Sequence, residues 1–174
     1  EAGTIEGGSI IFDKMYANFH LKLEWKIQEG GNSGIFYLGR EDHEFDEIWH
    51  AAPEMQVLDN ERHPDAKLGK DGNRQSGSLY DIIPAVPQNF KGAGVWNQVE
   101  LIHEDGHVRH IMNGEIVVEY QMGTPEWDEL VADSKIPGYN PDWANMPKEG
   151  YIGLQDHGDP GDVVWYRNIK IKAL

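Results

Sequence analysis

The sequence predicts an all-β fold, two antiparallel sheets packed as a sandwich, with one short helix. Three observations carry that prediction. Apolar and polar residues alternate strictly over Phe19–Ile27, the period of a half-buried strand. Asp105-Gly106 and Asn113-Gly114 lie between apolar runs and supply the positive φ angles that tight hairpin turns require. Helical spacing appears only in residues 125–135, where Trp127, Leu130 and Val131 share a face. Many short strands with one small helix fit a sandwich and not a series of alternating βα units.

Taken in order, Phe19, Leu21, Leu23, Trp25 and Ile27 form the apolar face of the first clear strand, opposite His20, Lys22, Glu24 and Lys26. Gly30-Gly31-Asn32-Ser33-Gly34 reads as a turn, and Ile35-Phe36-Tyr37-Leu38 begins the next strand. Residues 52–59 read as a strand, and the polar residues 58–75 as a long loop over one face. Long loops in compact domains are often functional. Residues 95–103, 108–112 and 116–120 predict three antiparallel strands joined by the two hairpin turns. Residues 136–147, rich in Pro and Asn, predict an ordered loop, and residues 151–155 and 163–171 two closing strands. Without an internal repeat or a linker, the 174 residues read as one domain, 1–174, large enough to bury a core.

Composition narrows the partners. A net charge of -15 repels phosphate, which disfavours nucleic acid, and disfavours an anionic membrane or acidic polymer for the same reason. A neutral sugar or a cation remains compatible. Cys is absent, which excludes thiol catalysis, disulfides and Cys-based zinc sites. No run approaches the roughly 20 apolar residues of a membrane helix. The chain opens on Glu1 without a signal peptide, so it is expected to be processed or trimmed. Six Trp and seven Tyr offer apolar faces with polar rims, the surface a sugar ring prefers, although core packing accounts for most aromatics in any domain.

Two segments carry chemistry. In Ala52-Pro53-Glu54-Met55-Gln56-Val57-Leu58-Asp59, strand alternation sets Glu54 and Gln56 on one face and Met55 and Val57 on the other. A carboxyl and an amide side by side suit the floor of a polar cleft, the alternative being a solvated edge strand. In Leu154-Gln155-Asp156-His157-Gly158, Gln155 and His157 share a face. A carboxylate near a His fixes its tautomer and raises its basicity, though strand neighbours such as Asp156 point away. Gly31-Asn32-Ser33-Gly34 lacks the length and the Lys of a phosphate loop, and no EF-hand, HExxH or GxSxG pattern occurs.

The runs EWKIQEGGNSGIFY, EMQVLDN, SGSLYDIIP, GVWNQVELI, MNGEIVVEY, GLQDHGD and VWYRNIKI occur in this order from Phe19 to Leu174. Together they resemble the 3-keto-disaccharide hydrolase domain family, of the concanavalin A-like lectin and glucanase superfamily. The resemblance implies a jelly-roll sandwich with a concave sugar-binding face, in a bacterial protein that is exported to the periplasm or cell surface and takes part in glycan breakdown. Two departures stand out. The family's opening segment, with a Phe-Asp/Asn-Gly-Lys and Trp signature, is missing, so a first strand is expected to be cut off or replaced by residues 3–12. The family also places an Arg directly after GIFY, whereas Leu38 and Gly39 here precede Arg40.

The implied substrate is an oxidised disaccharide or glycoside. A ketone at C3 makes the C2 proton acidic, and the group on C1 then leaves by elimination before water adds. This chemistry needs a base at C2, a donor or cation at the enolate oxygen and an acid for the departing oxygen. Glu54 is expected as the base and His157 as its acid/base partner. Asn32, Arg40, Gln56, Tyr80 and Gln155 are expected to bind substrate, and Glu54 and His157 together offer ligands for a divalent cation. Two alternatives accompany this reading. One is a non-catalytic sugar-binding module. The other is a retaining glycosidase of the laminarinase type, using Glu54 and a bulged Asp59 as paired carboxylates.

Overall fold

The computed structural model describes residues 8–40, 48–158 and 163–174. Its strands are β1 (Ile10–Ile11), β2 (Phe19–Ile27), β3 (Asn32–Gly39), β4 (Glu54–Leu58), β5 (Asn97–Glu104), β6 (His107–Met112) and β7 (Glu115–Gln121). Helix α1 (Pro125–Ala132) follows, then β8 (Tyr151–Leu154) and β9 (Val164–Ala173). A four-stranded sheet runs β1-β8-β3-β4 and a five-stranded sheet β7-β6-β5-β2-β9, with every pairing antiparallel. The predicted two-sheet sandwich with one short helix is therefore the observed architecture. Residues 10 and 11, part of the segment expected to replace a first strand, add β1 to the edge of the smaller sheet beside β8; residues 3–7 of that segment lie outside the described residues.

Alternation builds the core as expected. Phe19, Leu21, Leu23, Trp25 and Ile27 of β2 are all buried, and they meet Ile35, Tyr37, Met55 and Val57 from the smaller sheet. At the hairpin tips Asp105 and Gly106 have φ of 49° and 82°, and Asn113 and Gly114 have 51° and 89°. These are the left-handed conformations for which Asp-Gly and Asn-Gly are suited.

Two local readings are corrected, and the two residues inserted before Arg40 are accounted for. Strand β3 starts at Asn32 and not at Ile35, because Asn32, Ser33 and Gly34 pair with Leu58, Val57 and Gln56. The reversal is confined to the preceding residues, with the Gly31 N–H on the Gln28 carbonyl at 3.1 Å. Helix α1 is N-capped by Thr124, whose hydroxyl accepts from the Trp127 N–H, and Pro125 occupies its first position. It ends at Ala132, short of the expected residue 135, because the Lys135 N–H leaves to reach Asp81 Oδ2 at 2.8 Å. Finally, Leu38 takes φ 53° where the β3–β8 register shifts, so that Phe36 to Gly39 spans Gly153 to Tyr151. The extra residue is absorbed as a β-bulge, which precedes Arg40.

One polar chain crosses the core. Tyr37 Oη on β3 lies 2.9 Å from His110 Nε2 on β6 and 2.5 Å from Tyr120 Oη on β7. His110 Nδ1 lies 3.0 Å from the Gly77 carbonyl, which can only accept, so Nδ1 carries the proton and Nε2 accepts from Tyr37. Burial pushes the His110 imidazolium pKa down to about 4, against the backbone bond to Gly77. Each partner is satisfied without an ionised group, as a dry interior requires. Among the described residues no helix is long and apolar enough to cross a membrane.

Candidate active site

The smaller sheet turns its outer face into a cavity of about 660 Å³, within the roughly 300–1,000 Å³ typical of small-molecule sites. Its floor follows from the alternation in β4. Met55 and Val57 enter the core, so Glu54 and Gln56 face the other way and line the cavity. Asn32 at the start of β3 and Gln155, just past β8, join them. The Gln155 N–H bonds the Gly34 carbonyl at 2.9 Å, which extends the ladder to the edge of the floor.

Glu54 is the central group. Gly34 on β3 makes room for it, since a Cβ there would come within 2.7 Å of the Glu54 Cδ. Glu54 is only 8% exposed. Burial pushes its carboxyl pKa up to about 8, with the Lys135 ammonium opposing the rise and the Asp65 carboxylate adding to it. No hydrogen bond contributes to the shift. A carboxyl in this state holds or releases a proton near neutral pH, the property a general acid or base needs.

Tyr80 is placed by an irregular extension of the floor. Gly77 and Tyr80 donate backbone N–H bonds to the Gln56 and Glu54 carbonyls at 2.8 and 3.0 Å, and Leu79 bridges Met55. Leu79 follows Met55 into the core, so Tyr80 stands on the cavity side beside Glu54. Its hydroxyl donates to Asp65 Oδ2 at 2.7 Å and accepts from Lys135 Nζ at 2.8 Å. Arg74 clamps the far side, with Nη1 2.8 Å from Asp65 Oδ1 and Nε 2.5 Å from Asp81 Oδ1. Burial opposes ionisation of Asp65, yet the bonds from Tyr80 and Arg74 prevail and hold its carboxyl below the ordinary value. Burial, then the neighbouring Arg74 charge, lowers the Lys135 pKa, while Asp81, Asp65 and Glu54 resist that fall.

The walls come from loops. Trp49, Tyr139 and Trp143 line the cavity together with His63 and His157. Trp49 meets Tyr139 edge-on at 5.1 Å, and Trp143 continues a stack through Trp127 to Tyr120, with centroids 5.7 and 5.2 Å apart. Indole faces beside polar side chains match the apolar faces and hydroxylated rim of a sugar. His63 accepts the Asp65 N–H at Nδ1, 3.2 Å away, and its ring lies 6.2 Å from that of His157.

Of the residues expected from sequence, Glu54, His157, Asn32, Gln56, Tyr80 and Gln155 all line this cavity, whereas Arg40 does not. Asp59, the second carboxylate of the two-acid alternative, is absent from the lining as well. Its carboxylate accepts the Gly30 and Glu61 N–H groups at 2.8 and 3.1 Å and serves the adjoining turns. Glu54 and Asp59 therefore do not form a pair in the cavity. Glu54 and His157, which together offered ligands for a divalent cation, both line the cavity, and among the described residues no group of three or more His, Asp or Glu is placed to hold one. Lys135, Asp65 and His63 were not anticipated, and the aromatic surface expected from composition falls on Trp49, Tyr139 and Trp143, which the sequence did not single out. For Asp65, His63, Tyr139 and Trp143 the signal was the loops 58–75 and 136–147, which indicated a function without indicating which side chains would turn inward, whereas Lys135 ended the helical run and Trp49 carried no signal.

The fold and the cavity define a protein of the jelly-roll class, two antiparallel sheets with a polar cavity on the outer face of the smaller one. Residues 1–172 match the sequence profile of the 3-keto-alpha-glucoside-1,2-lyase-like domain, and the chain belongs to that family. A Bacteroides thetaiotaomicron protein named 3-keto-disaccharide hydrolase is 47% identical over 192 residues, covering 100% of this chain. The chain spans 64% of that curated relative's length. A candidate glycosyl hydrolase of known structure from Parabacteroides distasonis aligns with TM-score 0.84 and 28% identity, over 95% of this chain and 76% of that one. A carbohydrate binding module from Bacillus subtilis shares the fold, with TM-score 0.56 and 11% identity over 99% of this chain and 90% of the module.

Proposed function

We propose that this domain cleaves glycosides whose sugar ring carries a ketone at C3, breaking the bond from C1 to the glycosidic oxygen by elimination. The observation that carries the reading is the Glu54 carboxyl, buried on the cavity floor with its pKa near 8 and with no hydrogen bond shifting it. A carbon acid next to a ketone needs a base of this strength, whereas an unoxidised glycoside needs a pair of carboxylates. The substrate class follows the name of the Bacteroides relative.

In this mechanism the Glu54 carboxylate takes the C2 proton. The C–H electron pair forms the C2=C3 bond, and the carbonyl π pair moves onto O3. Return of that pair re-forms the C3 carbonyl, the C2=C3 π pair becomes the C1=C2 bond, and the C1 oxygen leaves with its bonding pair and takes a proton from His157. Water then adds across C1=C2 to complete the hydrolysis. Asn32, Gln56 and Gln155 position ring hydroxyls, and Trp49, Tyr139 and Trp143 stack on the sugar or its aglycone. We propose that the domain works outside the cytoplasm, in the periplasm or at the cell surface, as the resemblance to the 3-keto-disaccharide hydrolase domain family implies.

The test is nitrophenol release from a nitrophenyl 3-keto-glucoside and from its unoxidised parent, with and without chelator. Turnover of the keto substrate alone is expected. Turnover of the parent at a comparable rate, or of neither compound, overturns the reading, and the second result favours a sugar-binding module. Loss of turnover in chelator with recovery in one added ion would assign a cation to the reaction.

A further inference from the structure

The mechanism leaves one requirement without a residue, the group that receives the negative charge on O3. We propose that the Lys135 ammonium, held in place by Tyr80 and Asp65, is the oxyanion site that binds the ketone oxygen and stabilises the enolate. The inference rests on the 3-keto-glycoside reading above and extends it.

Lys135 is the only Lys or Arg among the described residues that line the cavity. An ammonium has three N–H donors. One is committed to the Tyr80 hydroxyl at 2.8 Å, and two remain for the cavity. Tyr80 cannot itself donate to the substrate oxygen, because its single proton goes to Asp65 Oδ2 at 2.7 Å. The tyrosine therefore acts through the lysine, as a positioning residue. Asp65 is in turn fixed by Arg74, and Asp81 holds the Lys135 backbone N–H at 2.8 Å, so both ends of the lysine are tethered. Tyr80 also donates its own backbone N–H to the Glu54 carbonyl at 3.0 Å. Base, phenol and ammonium thus follow one another along one wall, and C2 and C3 of a bound ring are adjacent atoms that need base and cation side by side. Donors fixed in advance where charge develops gain most in a cavity that excludes water.

The deciding experiment uses the 3-keto derivative of a 1,5-anhydrohexitol, which has no glycosidic oxygen at C1. Proton removal is then read apart from aglycone loss, as the disappearance of the C2 signal by proton NMR in D2O, with the C1 signals showing that the ring stays closed. Wild-type protein is expected to catalyse exchange and Glu54→Gln to abolish it. Lys135→Met and Lys135→Gln are expected to slow it by roughly 10²–10³-fold, the usual cost of losing an oxyanion donor, with unchanged thermal melts, and Lys135→Arg to restore part of the rate. Wild-type exchange that persists at full rate in both neutral variants overturns the Lys135 assignment and leaves the functional reading standing. Failure of wild type both to exchange this sugar and to cleave the nitrophenyl keto-glucoside overturns the functional reading itself. Capture of the sugar on Lys135 by borohydride overturns a purely electrostatic role in favour of an imine.

Discussion

The Glu54 carboxyl lies against the bare α-carbon of Gly34 on the neighbouring strand, in space that any side chain would fill. The glycine is needed here for room and not for backbone freedom, since its φ lies outside the left-handed region. Gly34→Ala is expected to lower kcat of the keto-glycoside reaction by about 10²-fold, the scale of an ångström-sized misplacement. Its circular dichroism and melting should stay close to wild type, because the displaced group faces a cavity. Wild-type kcat in this variant would remove Glu54 from the mechanism.

The raised Glu54 pKa makes a signed prediction. The folded protein keeps this proton up to about pH 8, while the unfolded chain releases it near the ordinary value of 4.5. Between those values the folded state binds more protons, so the group's contribution to stability falls as pH rises. Glu54→Gln removes that loss and should melt higher than wild type at pH 9, by on the order of a few kcal/mol, and nearly the same at pH 4. Wild-type kcat/KM should climb to a plateau above about pH 8, as the basic form of Glu54 accumulates. A profile that falls through this range would assign Glu54 as an acid.

Arg74 has 14% of its side chain exposed and bridges two carboxylates that have 18% and 6% exposed. Replacing it with Met leaves Asp65 and Asp81 charged and uncompensated. The expected cost is about 3–5 kcal/mol, as for breaking a buried pair, read from chemical denaturation. Activity should also drop in the fraction that folds, because Asp65 no longer holds Tyr80.

The Tyr37–His110–Tyr120 chain offers a contrast, since it lies in the core and none of its three residues lines the cavity. Tyr37→Phe strands the His110 Nε2 acceptor and should cost about 1–3 kcal/mol, with kcat unchanged.

His110 also limits acid stability. Its pKa falls from 6.5 to about 4 on folding, so below 6.5 the unfolded chain binds the extra proton. Stability attributable to this group should be lost as pH drops from 6.5 towards 4, and no further below that. Wild-type melts across that window, compared with those of a His110→Gln variant, measure the difference.

The sheets were legible in the sequence because one solvated and one buried face force a period of two, as in the alternating exposure of β2. Glu54 and Gln56 were legible for the same reason, since polar residues on a strand whose other face packs the core must line something. Asn32, Ser33 and Gly34 misled because their side chains are turn formers. The ladder to β4 and the space required by Glu54 outweigh that preference. Lys135 was hidden because its position depends on Asp81, a partner 54 residues away in the chain. No periodicity records a hydrogen bond between loops. Arg40 illustrates the opposite limit, a motif position shifted by Leu38 and Gly39 past a bulge and off the cavity.

Floor and wall in this cavity are made from different kinds of chain. The Glu54 carboxyl stands on a hydrogen-bonded strand, while Trp49, Tyr139 and Trp143 stand on connections that share none of its ladder. Grafting the 136–147 connection from a relative with another aglycone preference should therefore transfer that preference and leave the proton chemistry in place. The jelly roll serves here as a socket, in which the tool is fixed and the grip is exchangeable.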